Sequence, residues 1–473
     1  MHPATYQLRW KNFRAFEDTG WITLAPLTIL IGPNNSGKTS ITSPLRLLGQ
    51  TVASSDGVTP LVTRGDLIDA GSYKDIVHQH DLAKELFFGI RYHIHESKEP
   101  PNNRRLGKIG KYPPGAAEFT FSGSEAPLGM KLKKFELYDL YKRPFLGLTL
   151  KGNEYSFQAD AIENLSDKEL KAIQATRPVN FLFSPAATLQ RLARLATSGE
   201  EKKPVDDISE LDKLSRGFQR YLSALSIATE ELRKIFLTMS YIGPLRDHPK
   251  RYYEISGEIP HSVGSRGEHM AALLMNRKSS LTKEIDKWVQ KFEFGQRLKI
   301  ESLTDALFTL SFENGPHGAS ANIADVGFGA SQVLPLVVQA LTADPNSLTI
   351  AEQPEIHLNP RLQYLLADLF VEMANTEHRV IVETHSEHLL LRLRRLIAEK
   401  VIQSDKIAIY FVERIDGKST VRQIPLEANG NIPSDQWPQG FFEDTLKESL
   451  ALASAQSQNR ANHVSKNQKR QGK

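Results

Sequence analysis

Hydrophobic and polar positions divide the chain into segments of different periodicity. The run from Leu27 to Ile31 is apolar apart from one threonine, which is typical of a buried strand. From Leu86 to about Ala159, apolar and polar residues alternate between Pro- and Gly-rich breaks, and this alternation predicts a β-meander. From Ile162 to about Leu237 the apolar spacing becomes helical. The pattern therefore predicts an α/β unit, then a meander, then a helical segment.

The second half of the chain returns to mixed elements. A strand-like segment ends at Gly243, helical spacing runs from Gly267 to Phe294, and Leu307 to Phe312 alternates as a strand. From Asn322 onward, short apolar strands and helices alternate again. We therefore expect an N-terminal lobe with the meander at 1–160, a mainly helical insertion at 161–320, a C-terminal lobe at 321–450 and a basic disordered tail at 451–473.

Composition places this chain among globular proteins. Of its 473 residues, 40% are hydrophobic and 24% are charged, and no apolar run approaches the ~18 residues of a membrane span. The absence of cysteine excludes disulfides and thiolate metal sites. The N-terminal sequence lacks the apolar core of a secretory signal, so we expect a cytoplasmic protein without a membrane partner.

Net charge is +4, a value that neither requires nor excludes a nucleic-acid partner. Positive residues concentrate in two polar segments, Lys98–Lys111 and the tail after Ser454. The first is typical of a solvated loop and the second of a disordered tail. Contact of either segment with nucleic acid stays open as an alternative.

The segment from Gly32 to Thr39 matches the phosphate-binding pattern G-x-x-x-x-G-K-[ST]. It lies between the predicted strand at Leu27–Ile31 and a sequence that can open a helix, as the motif requires. Glycine lets the backbone wrap a phosphate, and the helix N-terminus adds a positive field. In this motif, Lys38 reaches the β- and γ-phosphates and the Thr39 hydroxyl binds Mg²⁺. The predicted nucleotide-binding residues are Gly32, Pro33, Asn34, Asn35, Ser36, Gly37, Lys38, Thr39 and Ser40.

Three later segments fit the same site. A Gly-rich loop from Asp325 to Gln332 precedes an apolar helical stretch, a geometry that suits an anion. A short strand from Leu348 delivers Glu352 to its carboxyl end, where α/β sheets place Mg²⁺–nucleotide chemistry. The strand that begins at Arg379 is followed by His385, within reach of a γ-phosphate. Taken singly, each segment also fits an ordinary turn or helix cap.

Together these segments resemble ABC-type ATPases of the SMC-like branch. They more closely resemble the AAA/ABC-type ATPases of bacterial anti-phage systems, including the ATPase part of overcoming-lysogenization-defect nucleases. After Walker A come a signature loop near Gly327, Walker B at Leu348–Glu352, a D-loop at Leu358-Asn359 and a switch histidine at His385. The resemblance implies an α/β P-loop NTPase fold with an ABC-type ATPase head, a β-meander and a helical insertion.

The same resemblance implies how ATP is held. Two subunits would pack head to tail around ATP and Mg²⁺, with Thr39 and Glu352 as metal ligands. The signature loop of each subunit would contact the γ-phosphate of its partner's ATP through Gly327, Gly329 and Ser331. A homodimer or higher homo-oligomer would therefore form in response to ATP.

Two positions depart from the family pattern. Gln353 stands where relatives carry the glutamate that activates the attacking water, and an amide cannot accept that proton. We therefore expect slow hydrolysis, or a substitute for the missing base, with Gln353, Glu355 and His385 as the candidate catalytic residues. Gly327 stands where relatives carry a serine, which Ser331 would replace.

Two further polar residues are weaker candidates. Gln79 would supply a Q-loop glutamine, although a turn between strands is the preferred interpretation. Arg246 would offer a guanidinium to phosphate or nucleic acid, although a salt bridge with Asp247 or another carboxylate is preferred.

These features predict an ATP-binding switch that controls a separate, nuclease-like effector, with anti-phage defence as the setting that the resemblance suggests. The sequence after His385 has no acidic cluster like the nuclease domain of overcoming-lysogenization-defect proteins. The alternative is a self-contained DNA- or RNA-processing enzyme or DNA-repair ATPase, which would need metal ligands such as Asp435, Glu443 and Asp444. A transporter subunit is disfavoured by the serine-less signature loop and the long insertion.

Overall fold

The computed structural model describes residues 5–94, 113–124, 129–160, 162–196, 214–255, 257, 259–276, 279–314 and 318–437. The basic segment at 98–111 and the predicted tail at 451–473 lie outside these ranges. Within the described ranges, no helix combines the length and the apolar character that a membrane crossing would need.

Strands and helices both occur in the described ranges. The strands are β1 Thr5–Phe13, β2 Phe16–Asp18, β3 Ile22–Leu24, β4 Leu27–Ile31, β5 Leu86–Ile94, β6 Pro114–Ser122, β7 Lys131–Asp139, β8 Pro144–Lys151, β9 Glu154–Gln158, β10 Ser240–Ile242, β11 Tyr253–Glu254, β12 Arg297–Ser302, β13 Leu307–Glu313, β14 Ser320–Asn322, β15 Leu348–Glu352, β16 Arg379–Glu383, β17 Ile407–Ile415 and β18 Lys418–Ile424. The helices are α1 Lys38–Ala53, α2 Tyr73–Ile76, α3 Asp167–Ala175, α4 Pro185–Ala196, α5 Arg216–Leu237, α6 Met270–Met275, α7 Ser279–Lys291, α8 Phe328–Thr342, α9 Pro360–Asn375 and α10 Glu387–Ala398.

A central sheet has the strand order β10-β15-β16-β4-β17-β18. Its first five strands are parallel, and β18 returns antiparallel to β17. Both faces are buried: Leu30 of β4 packs in one hydrophobic cluster, whereas Ile29 and Ile31 pack in the other. A strand covered on both faces reads as a continuous apolar run, which explains why β4 was predictable from the sequence.

The predicted β-meander is confirmed. Strands β5 to β9 pair consecutively and antiparallel, and β1 joins them beside β5. Aromatic side chains fill the side of this sheet that faces α5, with Phe119 against Phe135 and Phe181. The meander therefore shares a core with the helix that follows it in sequence.

The region at 161–320 is less helical than predicted. It contains α3 to α7, but also β10 at the edge of the central sheet and a separate antiparallel sheet of β11, β13, β12 and β14. The strand β12 was missed because only Leu298 of its six residues is buried, so its sequence carries little hydrophobic signal. The single helix expected from Gly267 to Phe294 is two, since α6 ends at Met275 and α7 begins at Ser279.

A close backbone contact holds residues 426–437, the segment that follows β18. Gly430 has φ of 80°, and its carbonyl oxygen accepts a 2.9 Å hydrogen bond from Arg394 Nε. The same guanidinium lies 5.6 Å from the Trp437 ring, and Ile432 is buried in the core beside it. A β-carbon at Gly430 would lie 2.1 Å from the Arg394 carbonyl oxygen. This position therefore requires glycine for both conformation and space.

We expect Gly430→Ala to loosen this segment more than Gly417→Ala does. Both residues have φ near 80°, so each alanine incurs about 1–2 kcal/mol of backbone strain. Only Gly430→Ala adds a backbone clash, because nothing lies within 4 Å of a β-carbon at Gly417. Amide hydrogen exchange of residues 426–437 measures the difference, and equal exchange in the two variants would contradict the steric argument.

Candidate nucleotide-binding site

The phosphate loop lies between β4 and α1, as the sequence predicts. Gly32 has φ of 149°, and a β-carbon there would lie 2.0 Å from the Val412 carbonyl oxygen. Gly37, the N-cap of α1, has φ of 104°, and Asn35 between them has φ of 59°. The loop therefore turns back on itself at the N-terminus of a 16-residue helix, where unpaired amide groups suit an anion.

Lys38 spans this loop from the first turn of α1. Its Nζ donates to the carbonyl oxygens of Gly32 at 3.0 Å and Pro33 at 2.8 Å, and the side chain is only 4% exposed. Burial lowers the pKa of Lys38, although nearby carboxylates oppose that shift. The ammonium is therefore held at the mouth of the loop, where a bound phosphate would compete for its hydrogen bonds.

Two carboxylates meet at the Thr39 hydroxyl. Thr39 Oγ1 lies 3.3 Å from Glu352 Oε1 and 3.0 Å from each carboxylate oxygen of Glu383. Burial raises the pKa of Glu383 to about 7, and repulsion from Glu352 is the next cause. The structure thus brings the predicted pair Thr39 and Glu352 together and adds Glu383, to which the sequence reasoning gave no role.

Strand register explains the position of Glu383. Strands β15 and β16 are parallel and aligned so that Glu352 and Glu383 are partners, each the last residue of its strand. The sequence shows that both apolar strands end in glutamate. It does not show that the two strands are neighbours in the sheet, because that pairing joins segments that are distant in the chain.

Tyr241 and Arg46 hold Glu352 in place. Tyr241 Oη donates a 2.7 Å hydrogen bond to Glu352 Oε2, and Arg46 Nη2 lies 4.0 Å from the same oxygen. The Arg46 guanidinium stacks over the Tyr241 ring at 4.2 Å. Glu352 Oε2 is therefore engaged on the side away from Thr39, which leaves Oε1 facing the Thr39 hydroxyl.

This donor set fits Mg²⁺. A hydroxyl and two carboxylates are hard oxygen ligands of the kind that Mg²⁺ prefers. Thr39, Glu352 and Glu383 are the residues that would hold the ion, and a bound Mg²⁺ would neutralise charge on the β- and γ-phosphates. Among the described residues, no group of three or more His, Asp or Glu side chains forms a separate metal site.

The three candidate catalytic residues lie on the same sheet edge. Gln353 follows β15 with φ of 43°, and its backbone N–H donates to the Glu383 carbonyl oxygen at 2.7 Å. The His385 backbone N–H donates to Glu355 Oε1 at 2.7 Å. Glu355 Oε2 and His385 Nε2 are buried and have no hydrogen-bond partner. Burial raises the pKa of Glu355 and lowers that of His385, so it favours the neutral form of each.

The three predicted signature residues differ in exposure. Gly327 is the exposed N-cap of α8, and nothing lies within 4 Å of a β-carbon there. Gly329 packs near Leu358 and Leu362. Ser331 is only 8% exposed, with its hydroxyl 3.4 Å from Gln332 Nε2. Gly327 is therefore the accessible residue of the three. Contact of all three residues with a partner's ATP stays a prediction.

Comparison with known proteins decides the family. A sequence profile of the AAA ATPase domain matches residues 7–390. The chain belongs to the AAA ATPase domain family. The predicted α/β P-loop fold and the predicted ATPase class are confirmed at this level. A second profile, of a protein family of unknown function named DUF3696, matches residues 402–452 of this AAA ATPase. No curated protein matches the sequence.

Solved structures that resemble the AAA ATPase include SMC heads. One is an SMC head bound to the C-winged helix domain of ScpA, with 14% identity, 90% of this chain and 98% of that chain covered, and a TM-score of 0.39. The SMC head domain from Thermotoga maritima has 11% identity, coverage of 89% and 100%, and a TM-score of 0.37. A third, an SMC head with an extended coiled coil bound to the C-terminal domain of ScpA derived from Pyrococcus furiosus, has 14% identity, coverage of 89% and 96%, and a TM-score of 0.37.

For Arg246 of the AAA ATPase, the preferred interpretation was a salt bridge with Asp247 or another carboxylate, and among the described residues Arg246 forms neither. Asp247 pairs with Arg266 at 2.8 Å instead. The Arg246 side chain is 6% exposed, and Nη1 contacts Gln332 Oε1 at 3.4 Å, while Nε and Nη2 have no hydrogen-bond partner. The local sequence suggested a partner next in the chain, whereas the fold turns the guanidinium inward.

Of the remaining candidates, two are exposed on the surface and two lie outside the described residues. Gln79 is exposed in a turn, with φ of 59°, and its amide oxygen accepts a 2.9 Å hydrogen bond from Lys84. This agrees with the preferred interpretation of a turn. Asp435 is exposed in a single 3-10 turn. Glu443 and Asp444 lie outside the described residues.

We expect Tyr241→Phe to weaken Mg²⁺-dependent ATP binding by about tenfold. The substitution removes a 2.7 Å hydrogen bond to a carboxylate, an interaction of about 1.5–3 kcal/mol, and frees Glu352 to rotate. The measurement is the Kd for ATP at several Mg²⁺ concentrations. Tyr155→Phe is the matched control, because its buried hydroxyl bonds the Leu132 carbonyl in the meander. Equal weakening in both variants would show a general loss of stability.

Proposed function

We propose that this AAA ATPase is a slow, ATP-dependent switch of the ABC-type, SMC-like kind. It dimerises around ATP, holds that state because hydrolysis is slow, and controls a separate effector. The observation that carries the proposal is the amide of Gln353 at the position after the Walker B carboxylate Glu352, where fast enzymes of this kind need a base.

The other candidate catalytic residues at this sheet edge, Glu355 and His385, are consistent with slow hydrolysis. Glu355 Oε2 and His385 Nε2 are buried polar atoms without a hydrogen-bond partner, and both side chains interact electrostatically with Lys38. Either group can position water, and a carboxylate at Glu355 can also accept its proton. Burial raises the pKa of Glu355, which reduces the fraction of this carboxylate that is ionised and able to accept the proton.

A dimer that forms around ATP would account for the proposed holding of the ATP-bound state. In a head-to-tail arrangement, the exposed Gly327 at the N-terminus of α8 would meet the γ-phosphate bound by the partner subunit. ATP would then join the two subunits, and ADP would release them because it lacks that phosphate. A nucleotide acts as a switch when it binds the dimer and the separate subunits with different affinities.

The setting of the switch follows from the resemblance alone. ATPases with this motif order are found with bacterial anti-phage systems, so we propose that the effector is a nuclease-like protein in such a system.

We expect Gln353→Glu to raise ATP turnover by at least about tenfold, because it supplies the general base that the wild type lacks. The φ of 43° at this position is equally accessible to glutamate, so the backbone needs no change. Steady-state phosphate release by the full-length protein is the measurement.

Two variants show whether another residue already supplies the base. Glu355→Gln and His385→Ala should each lower the residual wild-type turnover if these side chains act on the water. If neither lowers it, the substitute-base version of the proposal is wrong. Fast wild-type turnover with no gain from Gln353→Glu would reject the slow switch itself.

We expect ATP with Mg²⁺ to convert the chain to a dimer, and Gly327→Arg to prevent it without unfolding the protein. The φ of −56° and ψ of 158° at Gly327 suit any residue, and the open space around it accommodates a long side chain. Light scattering after gel filtration, with and without ATP, measures the mass.

Val58→Arg is the control for the added charge. Val58 is 87% exposed in the loop after α1, at the end of that helix opposite the phosphate loop. This variant should dimerise like the wild type. Dimerisation of Gly327→Arg with unchanged ATP dependence would place the interface elsewhere.

A further inference from the structure

Glu383 is a buried carboxylate that the expected ATPase motifs leave without a role. It is 4% exposed and ends β16, one strand from β4 and the phosphate loop. Both of its oxygens lie 3.0 Å from Thr39 Oγ1, which is also 3.3 Å from Glu352 Oε1. One hydroxyl hydrogen cannot satisfy three carboxylate oxygens. Part of this negative charge therefore lacks a hydrogen-bond donor.

Basic side chains compensate the charge of Glu383 only from a distance. Lys38 and Arg46 both attract it, but among the described residues none forms an ion pair with it. Lys38 Nζ donates to the carbonyl oxygens of Gly32 and Pro33, and Arg46 lies 4.0 Å from the other carboxylate, Glu352. A buried carboxylate pair that is only partly compensated is costly unless it is protonated or binds a cation.

We propose that Glu383 is a ligand of the divalent cation and that Thr39, Glu352 and Glu383 bind Mg²⁺ before ATP arrives. The inference deepens the proposed function, since it concerns the metal of the same nucleotide site. Mg²⁺ is usually bound through one or two carboxylates together with the phosphates of the substrate. Here the fold brings two carboxylates and a hydroxyl around one point, so the protein supplies three oxygen ligands that do not depend on the phosphates.

Several contacts pre-organise this triad. Register aligns Glu352 with Glu383, Tyr241 fixes the outer oxygen of Glu352, and Thr39 is fixed in the first turn of α1. Binding the ion would therefore cost little side-chain conformational entropy. In the order that we propose, ATP adds to a site that already holds its metal, and the ion partly offsets repulsion between phosphates and carboxylates.

The test is a titration of the full-length protein with Mn²⁺ in the absence of nucleotide, followed by electron paramagnetic resonance of the free ion. Wild-type protein should bind one Mn²⁺ per chain, and excess Mg²⁺ should displace it. Glu383→Gln keeps the shape of the side chain and should weaken Mn²⁺ binding by about 10–100-fold. Thermal unfolding checks that this variant is folded.

Glu355→Gln is the matched control, because it removes one carboxylate from the same sheet edge but no contact with Thr39. It should leave Mn²⁺ affinity within about threefold of wild type, because the charge that is lost lies farther from the ion than Glu383 does. Lys38→Ala should lose ATP binding and keep nucleotide-free Mn²⁺ binding, which supports an ion site independent of the phosphates.

Three results would overturn the inference. Wild-type protein that binds Mn²⁺ only with ATP would mean that the nucleotide brings the metal, and this readout needs no variant to fold. Unchanged affinity in Glu383→Gln would remove that residue from the ligand set. Equal losses in Glu383→Gln and Glu355→Gln would mean a general electrostatic effect. Failure of ATP-dependent dimerisation, by contrast, would reject the proposed switch and leave the metal site standing.

Discussion

The register of three parallel strands determines the chemistry of this protein. Strands β15, β16 and β4 end at one sheet edge, and their alignment places Glu352 beside Glu383 and next to the phosphate loop. Hydrogen bonds of the ladder fix this alignment, and apolar side chains on both faces make a slip costly. A shift of one residue would reverse the direction of every side chain and separate Glu352 from Glu383. The site therefore depends on the core of the sheet.

The same alignment brings two carboxylates together at an electrostatic cost. Burial raises the pKa of Glu383, and repulsion from Glu352 adds to that shift. Tyr241 and Arg46 contact only the outer oxygen of Glu352, and Lys38 donates to the loop carbonyls, so none of these side chains donates a hydrogen bond to Glu383. Natural proteins keep unfavourable arrangements mainly where function uses them. A cation-binding role accounts for this pair, whereas stability of the fold does not.

Local patterns in the sequence identified the parts of the site that lie within single segments. The loop from Gly32 to Thr39, the strand before it, the meander and the strand that ends at Glu352 were predictable, because periodicity and turn chemistry are properties of neighbouring residues. Glu383, Tyr241 and Arg46 were not, since their roles arise from pairing between distant segments. Arg246 shows the same limit: its sequence neighbour Asp247 was the obvious partner, and the fold assigns that carboxylate to Arg266.

Gln353 and Glu383 are linked in a way that gives the missing base a physical reason. The backbone of Gln353 is hydrogen-bonded to that of Glu383 at 2.7 Å, so a side chain at 353 begins beside the carboxylate pair. Backbone strain does not select the amide, because glutamate tolerates φ of 43° as well as glutamine does. Charge does distinguish them: glutamate would add a further carboxylate to an edge that already holds Glu352, Glu355 and Glu383. We therefore infer that the amide of Gln353 limits repulsion among the carboxylates at this edge and lowers the rate of hydrolysis by the same substitution. On this inference, the proposed slow turnover and the second carboxylate have one electrostatic origin.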